Sequence, residues 1–382
     1  MSLEEVKLDF EVVTPMFLGG ASPNAEAELR PPSIKGMLRW WFRALGGSKE
    51  WEDKIFGAAG EKTGRSTFKI TVGSPTSGTW EFDRKKYKKF DRRSNNCNSP
   101  GIGTNGIVYA GYSLTLGQNQ RKAIASGSVF TLTVIKHPSL GRNEFEFILN
   151  LFWLMGHIGG IGTRWRRGFG SISLKKGQKI LPISATTSEA WKEEFRSAWQ
   201  TLKNELVKFT RNGAAGLWYL DKIYIWKNSF GSWEEALNDI AITMQIYRQC
   251  RNPDHDLVLG ILRNPNRYRS GGSAPQRTTF GMPITFRFRK AGTKPVTFLP
   301  QFHERMASPL IFHIAKLGTT RYLPVLVKLR GPFLENSEQI QTRGIKLILK
   351  KPSTTLDGDG KATILIDFIE KAIKPKAMEV IL

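Results

Sequence analysis

The sequence predicts an α+β protein made of two tandem units, in each of which helices cover an antiparallel sheet. Three observations carry this. The chain has 382 residues, enough for two domains that each bury a core. Apolar residues make up 40% of it, with 23 Phe and 11 Trp, so hydrophobic burial can drive folding over most of the length. Segments of strand period and helix period follow one another twice in the order β, α, β, β, α, β, the order of a ferredoxin-like (RRM-like) unit.

In the first unit, Val6, Leu8, Phe10 and Val12 alternate with Lys7, Asp9 and Glu11, the period of a half-buried strand over Val6–Thr14 that Pro15 ends. A loop rich in Gly, Ala, Pro and Glu leads to Pro31-Pro32-Ser33, which announces a helix with Ser33 as N-cap; it runs to about Leu45 and Gly46-Gly47 stops it. Strands are expected at Ser66–Val72, Ile107–Leu116 and Ser128–Lys136, a second helix at Glu144–Gly156, and a short strand near Ser171–Leu174.

Lys175–Thr187 has the polarity of a linker, which divides the chain into domains at 1–180 and 181–382. After a helix at Ala190–Phe209, the order recurs: strand Leu217–Trp226, helix Trp233–Tyr247, strands at Met282–Arg289, Pro309–Ala315 and Leu323–Arg330, helix Ala362–Ile373 and strand Ala377–Ile381. Cys97–Gly106 and Arg263–Thr279, poor in apolar residues, are expected to be long mobile loops, the second strongly basic.

Charge narrows the function. With 57 Lys and Arg against 33 Asp and Glu, the formal excess is +24, which a bound polyanion neutralises while releasing counterions. A nucleic acid is the expected partner; a membrane is not, because neither a lipidation signal nor a basic amphipathic terminal helix is present. The mixed, acidic opening Met1–Phe10 does not read as a secretory signal, so a cytoplasmic location is expected. Phe145–Ile158, the longest apolar stretch, falls short of the roughly 20 residues that span a bilayer. Cys97 and Cys250 stand far apart with no Cys/His cluster, so neither a disulfide framework nor a zinc site is expected.

Two segments carry the binding chemistry. In Arg30–Arg43, helical spacing puts Ile34, Leu38, Trp41 and Leu45 on one stripe and Lys35, Arg39 and Arg43 on a neighbouring one. Like charges at that spacing repel, so an anion is expected to receive them, and the Ser33 end adds backbone N–H groups for a phosphate. In Gly159–Gly170, the glycines permit close approach of the backbone to a phosphate chain, Arg164, Arg166 and Arg167 can clamp it, and Trp165 offers a surface on which a base can stack.

Other motifs fail. Gly101-Ile-Gly-Thr-Asn-Gly106 fits GxGxxG but precedes an expected strand and does not open a helix, which argues against dinucleotide binding. Gly57–Ser66 lacks the Gly-Lys-Ser/Thr of a P-loop. None of the five histidines forms a metal-binding pair, and Asp357 and Asp359 lie in a turn-like run, so no metal or cofactor is expected. His157, just before the glycine-rich loop, is a candidate to face RNA, set against the commoner case of a packed or capping histidine.

Thr14-Pro-Met-Phe-Leu-Gly-Gly20, Glu28–Leu45 and the glycine-rich loop Gly159–Gly170 together resemble the first Cmr subunits of the RAMP superfamily, proteins of type III-B CRISPR effector complexes. The agreement is dense through about residue 175 and thinner afterwards, where Arg305–Leu310 matches best. The resemblance implies tandem ferredoxin-like folds, membership with other Cmr subunits of a ribonucleoprotein built on a guide RNA, and a place near the guide's 3′ end. It further implies that Ser33, Lys35, Arg39, Arg43, His157, Arg164, Trp165, Arg166 and Arg167 hold guide or target RNA. The related target-cleaving subunit uses an aspartate in the loop after its first strand, and this chain has none between Thr14 and Ser33. A non-catalytic binding subunit is therefore the leading reading. The alternative is a metal-independent guide-processing endoribonuclease with His157 or another histidine as general acid or base.

Overall fold

The structure is a computed structural model that describes residues 3–382 apart from 21, 23, 60–63, 77, 95–101, 116–120, 211–218, 250–252, 270, 289–291, 293, 332–333, 335–336 and 353–362. The sequence readings of Cys97, Cys250, Asp357 and Asp359 therefore lie outside the described residues.

Strand β1 (Glu5–Val12) forms because its alternate residues Val6, Leu8, Phe10 and Val12 are all withdrawn from water. It pairs antiparallel with β3 (Val129–Lys136) and β4 (Ile172–Gly177), and β2 (Phe68–Val72) closes the far edge, giving the order β2-β3-β1-β4. Phe10 stacks on Phe130 across β1 and β3 with ring centres 5.8 Å apart. Helices α1 (Pro31–Ala44) and α3 (Arg142–Ile158) bury apolar stripes, with the short α2 (Lys49–Phe56) beside α1.

Helix α1 begins earlier than expected. Arg30 is its N-cap residue and Ser33 lies inside the first turn, because Pro31 and Pro32 supply the fixed φ and need no N–H partner there. Its end is the one anticipated, with Gly46 in the left-handed region at φ 85°.

The strand expected at Ile107–Leu116 is instead a helix, Gly106–Ala110, followed by a 3₁₀ turn over Tyr112–Thr115. Asn105 caps it by accepting from the Val108 N–H at 3.1 Å, and the Gly106 N–H donates to Asn238 at 2.9 Å. The cap and the close packing of Gly106 on a neighbouring helix outweigh the β propensity of the run. Dinucleotide binding is not rescued, since the strand before this helix, Ile102–Thr104, pairs antiparallel in a two-stranded ribbon.

Helix α4 (Ser188–Leu206) packs on the first unit, with Phe195 5.1 Å from the Trp153 ring of α3. A second four-stranded sheet is built from β5 (Tyr219–Trp226), β8 (Leu310–Leu317), β9 (Arg321–Arg330) and β12 (Ala377–Val380), in the order β8-β9-β5-β12. Helix α5 (Trp233–Gln249) follows β5. Helix α7 (Thr363–Phe368), continued by a π-turn to Ile373, precedes β12.

The strand foreseen at Met282–Arg289 does not join that sheet. It shortens to β6 (Ile284–Phe286) and pairs with β7 (Val296–Pro300), β10 (Ile340–Arg343) and β11 (Ile348–Leu349) in a third sheet, which has a core of its own around Val258, Phe298 and Leu349. Val258 comes from α6 (His255–Arg263). Two insertions, one before β8 and one after β9, meet to make it. Nor is Arg263–Thr279 a free loop throughout. Arg277, Thr278 and Thr279 are buried, and the buried Asp254 carboxylate accepts the Gln276 and Arg277 N–H groups at 2.7 and 2.9 Å.

The first two sheets meet where β8, an edge strand, lies against β4 and the glycine-rich turn. There the Ile314 N–H donates to the Ser171 hydroxyl at 3.1 Å, and Lys316 pairs with Glu11. No helix among the described residues is long and apolar enough to cross a membrane.

Candidate nucleic-acid interface

The glycine-rich turn Gly159–Gly170 is stitched to the chain leaving β1. The Thr163 N–H donates to the Phe17 carbonyl at 2.8 Å, the Gly170 N–H to that of Pro15 at 2.9 Å, and the Thr14 hydroxyl to that of Gly168 at 2.7 Å. A Cβ on Gly162, at φ 97°, would stand 2.4 Å from the Phe17 carbonyl oxygen, so that position needs glycine. The close backbone approach expected toward a phosphate chain is, at this position, an approach to the protein's own backbone. Arg164, the sole positive-φ residue other than glycine among the described residues, takes φ 66°, a strained conformation held by the stitched turn on either side.

The turn delivers three arginines and a tryptophan to the seam between the sheets. Trp165 meets Trp40 of α1 edge to face with ring centres 5.0 Å apart. The Arg166 guanidinium lies 4.7 Å from the Trp40 ring centre and 5.2 Å from that of Trp165, and donates to the Ser308 carbonyl at 2.5 Å. Arg167 sits 5.7 Å from the Phe312 ring of β8. Burial, and then repulsion from a neighbouring arginine, lowers Arg166 to about 10; burial is also the main cause of the fall of Arg167 to about 10. Both stay cationic at neutral pH, and no carboxylate contributes to either shift. Two half-buried indoles flanking such a cation make a surface suited to splayed bases and their phosphates.

The cationic stripe of α1 goes elsewhere. Glu52 of α2, with its side chain 1% exposed, takes a two-pronged bond from Arg43 at 2.7 and 2.5 Å and stands 3.5 Å from Arg39. Lys35 donates to the Phe68 carbonyl at 3.1 Å and lies over the Phe68 ring. The anion that this stripe calls for is thus an internal carboxylate, and Lys35, Arg39 and Arg43 face α2 and β2, away from the Trp40 side. Helix α1 and the turn meet through Trp40 and not through these cations. Ser33, Gly36 and Trp40, spaced three and four apart, share the outer face of α1, and beyond the helix's own backbone and the two adjoining residues nothing among the described residues lies within 4 Å of where a Gly36 Cβ would be.

His157 is 3% exposed and does not face outward. Burial, reinforced by His313, lowers it to about 3, and its Nε2 finds no partner among the described residues. His313 bonds the Gly159 carbonyl through Nδ1 at 2.6 Å and is lowered to about 4 by burial. Both are neutral core groups at the seam. Of the sequence-assigned residues, Arg164, Trp165 and Arg166 gather at the seam with the more buried Arg167, while Ser33 stands on the Trp40 side. Trp40 was missed, although its i, i+3, i+7 relation to Ser33 and Gly36 was open to a helical-wheel reading. Among the described residues, no group of three His, Cys, Asp or Glu side chains is placed to hold a metal ion.

Comparison with known proteins agrees with this layout. Residues 9–173 match the RAMP superfamily. The chain is 30% identical over 203 residues to the CRISPR system Cmr subunit Cmr1-1 of Pyrococcus furiosus, over 50% of this chain and 53% of that protein, so the match spans about half of the relative. It is 28% identical over 198 residues to Cmr1-2 of the same organism, over 46% of this chain and 98% of that protein. The crystal structure of apo Cmr1 from Pyrococcus furiosus superposes with a TM-score of 0.58 at 19% identity, covering 99% of this chain and 98% of the other. A chain of the type III-B Cmr-beta structure bound to cognate target RNA gives 0.52 at 13% identity, covering 86% and 95%. At those identities the structures establish a shared fold, while the sequence matches make residues 9–173 similar to the RAMP superfamily and about half of the chain similar to Cmr1 subunits.

Proposed function

We propose that this protein is a non-catalytic RNA-binding subunit of a type III-B Cmr effector complex, working in the cytoplasm in antiviral defence. It holds guide or target RNA near the guide's 3′ end and contacts other Cmr subunits. The observation that carries the reading is the Trp40–Arg166–Trp165 arrangement, a half-buried cation in contact with two indoles at the seam of a chain with an excess charge of +24. Both main sheets place their strands in the sequence order second, third, first, fourth, with a helix in each crossover. That pattern supports two tandem ferredoxin-like units, near 1–180 and 181–382, the second carrying the inserted sheet. A non-catalytic role is supported by the burial of His157, which keeps the first candidate for general acid or base of the nuclease alternative out of reach of a phosphodiester.

The test is fluorescence anisotropy of single-stranded RNA with wild type and the Trp165→Ala/Arg166→Ala variant. The variant is expected to bind at least about tenfold more weakly, with a salt slope lower by about 0.7 per lost phosphate contact. Equal affinity and slope would overturn the assignment. Incubation of the purified protein with repeat RNA in EDTA is expected to leave the RNA intact; specific cleavage lost in His157→Ala would favour the enzyme.

A further inference from the structure

Arg167 turns away from the Trp40–Trp165 surface and into the seam. Its NH1 is buried and meets no hydrogen-bond acceptor among the described residues. Arg164 and Arg248 are both close enough to repel it. Arg248 comes from the last turn of α5, where its NH1 donates to the Tyr109 hydroxyl at 2.7 Å and its guanidinium lies over Phe280. Tyr109, on the Gly106–Ala110 helix, acts electrostatically on Arg164 and Arg167 as well. Arg277, which both Asp254 and Arg248 influence, engages the Asp254 carboxylate, and that carboxylate also accepts two backbone N–H groups. All four residues keep part of their surface in contact with solvent.

Like charges gathered in a desolvated seam are unfavourable unless an anion joins them. Arginine forks match a tetrahedral oxyanion, and a phenol can donate to it. We propose that Arg164, Arg167 and Arg248, with the Tyr109 hydroxyl, form an inner anion site that takes a single phosphate group. The site deepens the RNA-binding reading and rests on it for the identity of its natural ligand: bases lie on Trp40 and Trp165 while one phosphate of the same strand enters the seam. Two sources share this chemistry, an internal phosphodiester and a phosphorylated chain end. Because the site draws on the Gly106–Ala110 helix, the glycine-rich turn and α5, its occupation also ties the first unit to the second.

The first test uses inorganic phosphate alone, with thermal unfolding measured in phosphate and in chloride at equal ionic strength. Wild type is expected to unfold several degrees higher in phosphate. Arg248→Gln and Tyr109→Phe are expected to lose most of that difference, whatever their melting temperature in chloride, because each variant is its own reference. Trp165→Ala is expected to keep it while losing RNA affinity, so failure of the inner site and failure of the RNA surface are separable. A wild-type protein indifferent to phosphate, or an Arg248→Gln protein with the full response, would sink the proposal. The second test compares one oligoribonucleotide with a 5′-phosphate, a 3′-phosphate or neither. Roughly tenfold tighter binding of a phosphorylated end by wild type but not by Arg248→Gln assigns the site to a chain end. An equal loss for all three oligonucleotides in Arg248→Gln assigns it to an internal phosphodiester. No loss for any of them overturns the proposal.

Discussion

Arg166 rests on the face of Trp40, 4.7 Å from its ring centre, although 126 positions separate them (166 − 40). The contact joins helix α1 to the glycine-rich turn, and the Arg166 bond to the Ser308 carbonyl joins that turn to the second unit. One side chain thus connects three parts of the fold and presents two indoles at their junction. The following predictions rest on that geometry.

Trp40→Ala is expected to weaken single-stranded RNA binding by about 1–3 kcal/mol, the range for losing a stacked base. Arg39→Ala, one residue away on the face turned to Glu52, is expected to lower stability with a smaller effect on RNA affinity. Anisotropy titration together with urea unfolding separates the two. Equal losses of RNA affinity in both variants would return the interface to the cationic stripe.

Glu52→Gln removes the carboxylate that receives Arg43 and Arg39. The expected loss of stability is about 1–3 kcal/mol, kept below the range for a fully buried pair because the Arg43 side chain is 43% exposed. The check is the urea midpoint at constant m-value. A midpoint unchanged from wild type would mean that solvent already screens the pair.

Two glycines should respond in opposite directions. Gly162→Ala, at φ 97° and with the new methyl 2.4 Å from the Phe17 carbonyl, is expected to destabilise by about 2 kcal/mol or more. Gly36→Ala, inside α1 and facing open space, is expected to stabilise by about 0.5–1 kcal/mol. Thermal unfolding of the two variants provides the comparison.

His157 and His313 make stability depend on pH in a defined direction. Their folded values, about 3 and about 4, lie below the ordinary value near 6.5, so between these limits the unfolded chain binds more protons than the folded one. Stability is complete above about pH 6.5 and falls as the pH drops toward the folded values. By pH 5.5 the expected loss is about 1 kcal/mol for each histidine. Replacing His157 with Gln should roughly halve the slope of stability against pH between 6.5 and 4.5. A wild-type midpoint flat across that range would show that the pair is hydrated or already protonated.

Local periodicity carried much of the fold. The alternation of Val6, Leu8, Phe10 and Val12, the stripe of Ile34, Leu38 and Trp41, and the apolar run of α3 were legible because each element buries one face and its own repeat records which. The charge excess and the clustering of Arg164, Arg166 and Arg167 around Trp165 were legible for the same reason, being properties of composition and short range.

Other features were decided by contacts distant along the chain. Ile107–Leu116 has strand propensity, but Asn105 and Asn238 hold its start as a helix, and Asn238 is more than a hundred residues away. Lys35, Arg39 and Arg43 share a face in any helix, yet only the packing of α2 brings Glu52 to them and turns that face inward. His157 precedes a loop and could have faced solvent; the edge of β8 closes over it instead. Helical spacing says which residues share a side, but which side meets solvent depends on what the rest of the chain lays against it. For that reason the cationic stripe meets Glu52 while Trp40 meets the glycine-rich turn, and the grouping of Tyr109, Arg167 and Arg248 exists only in the folded protein.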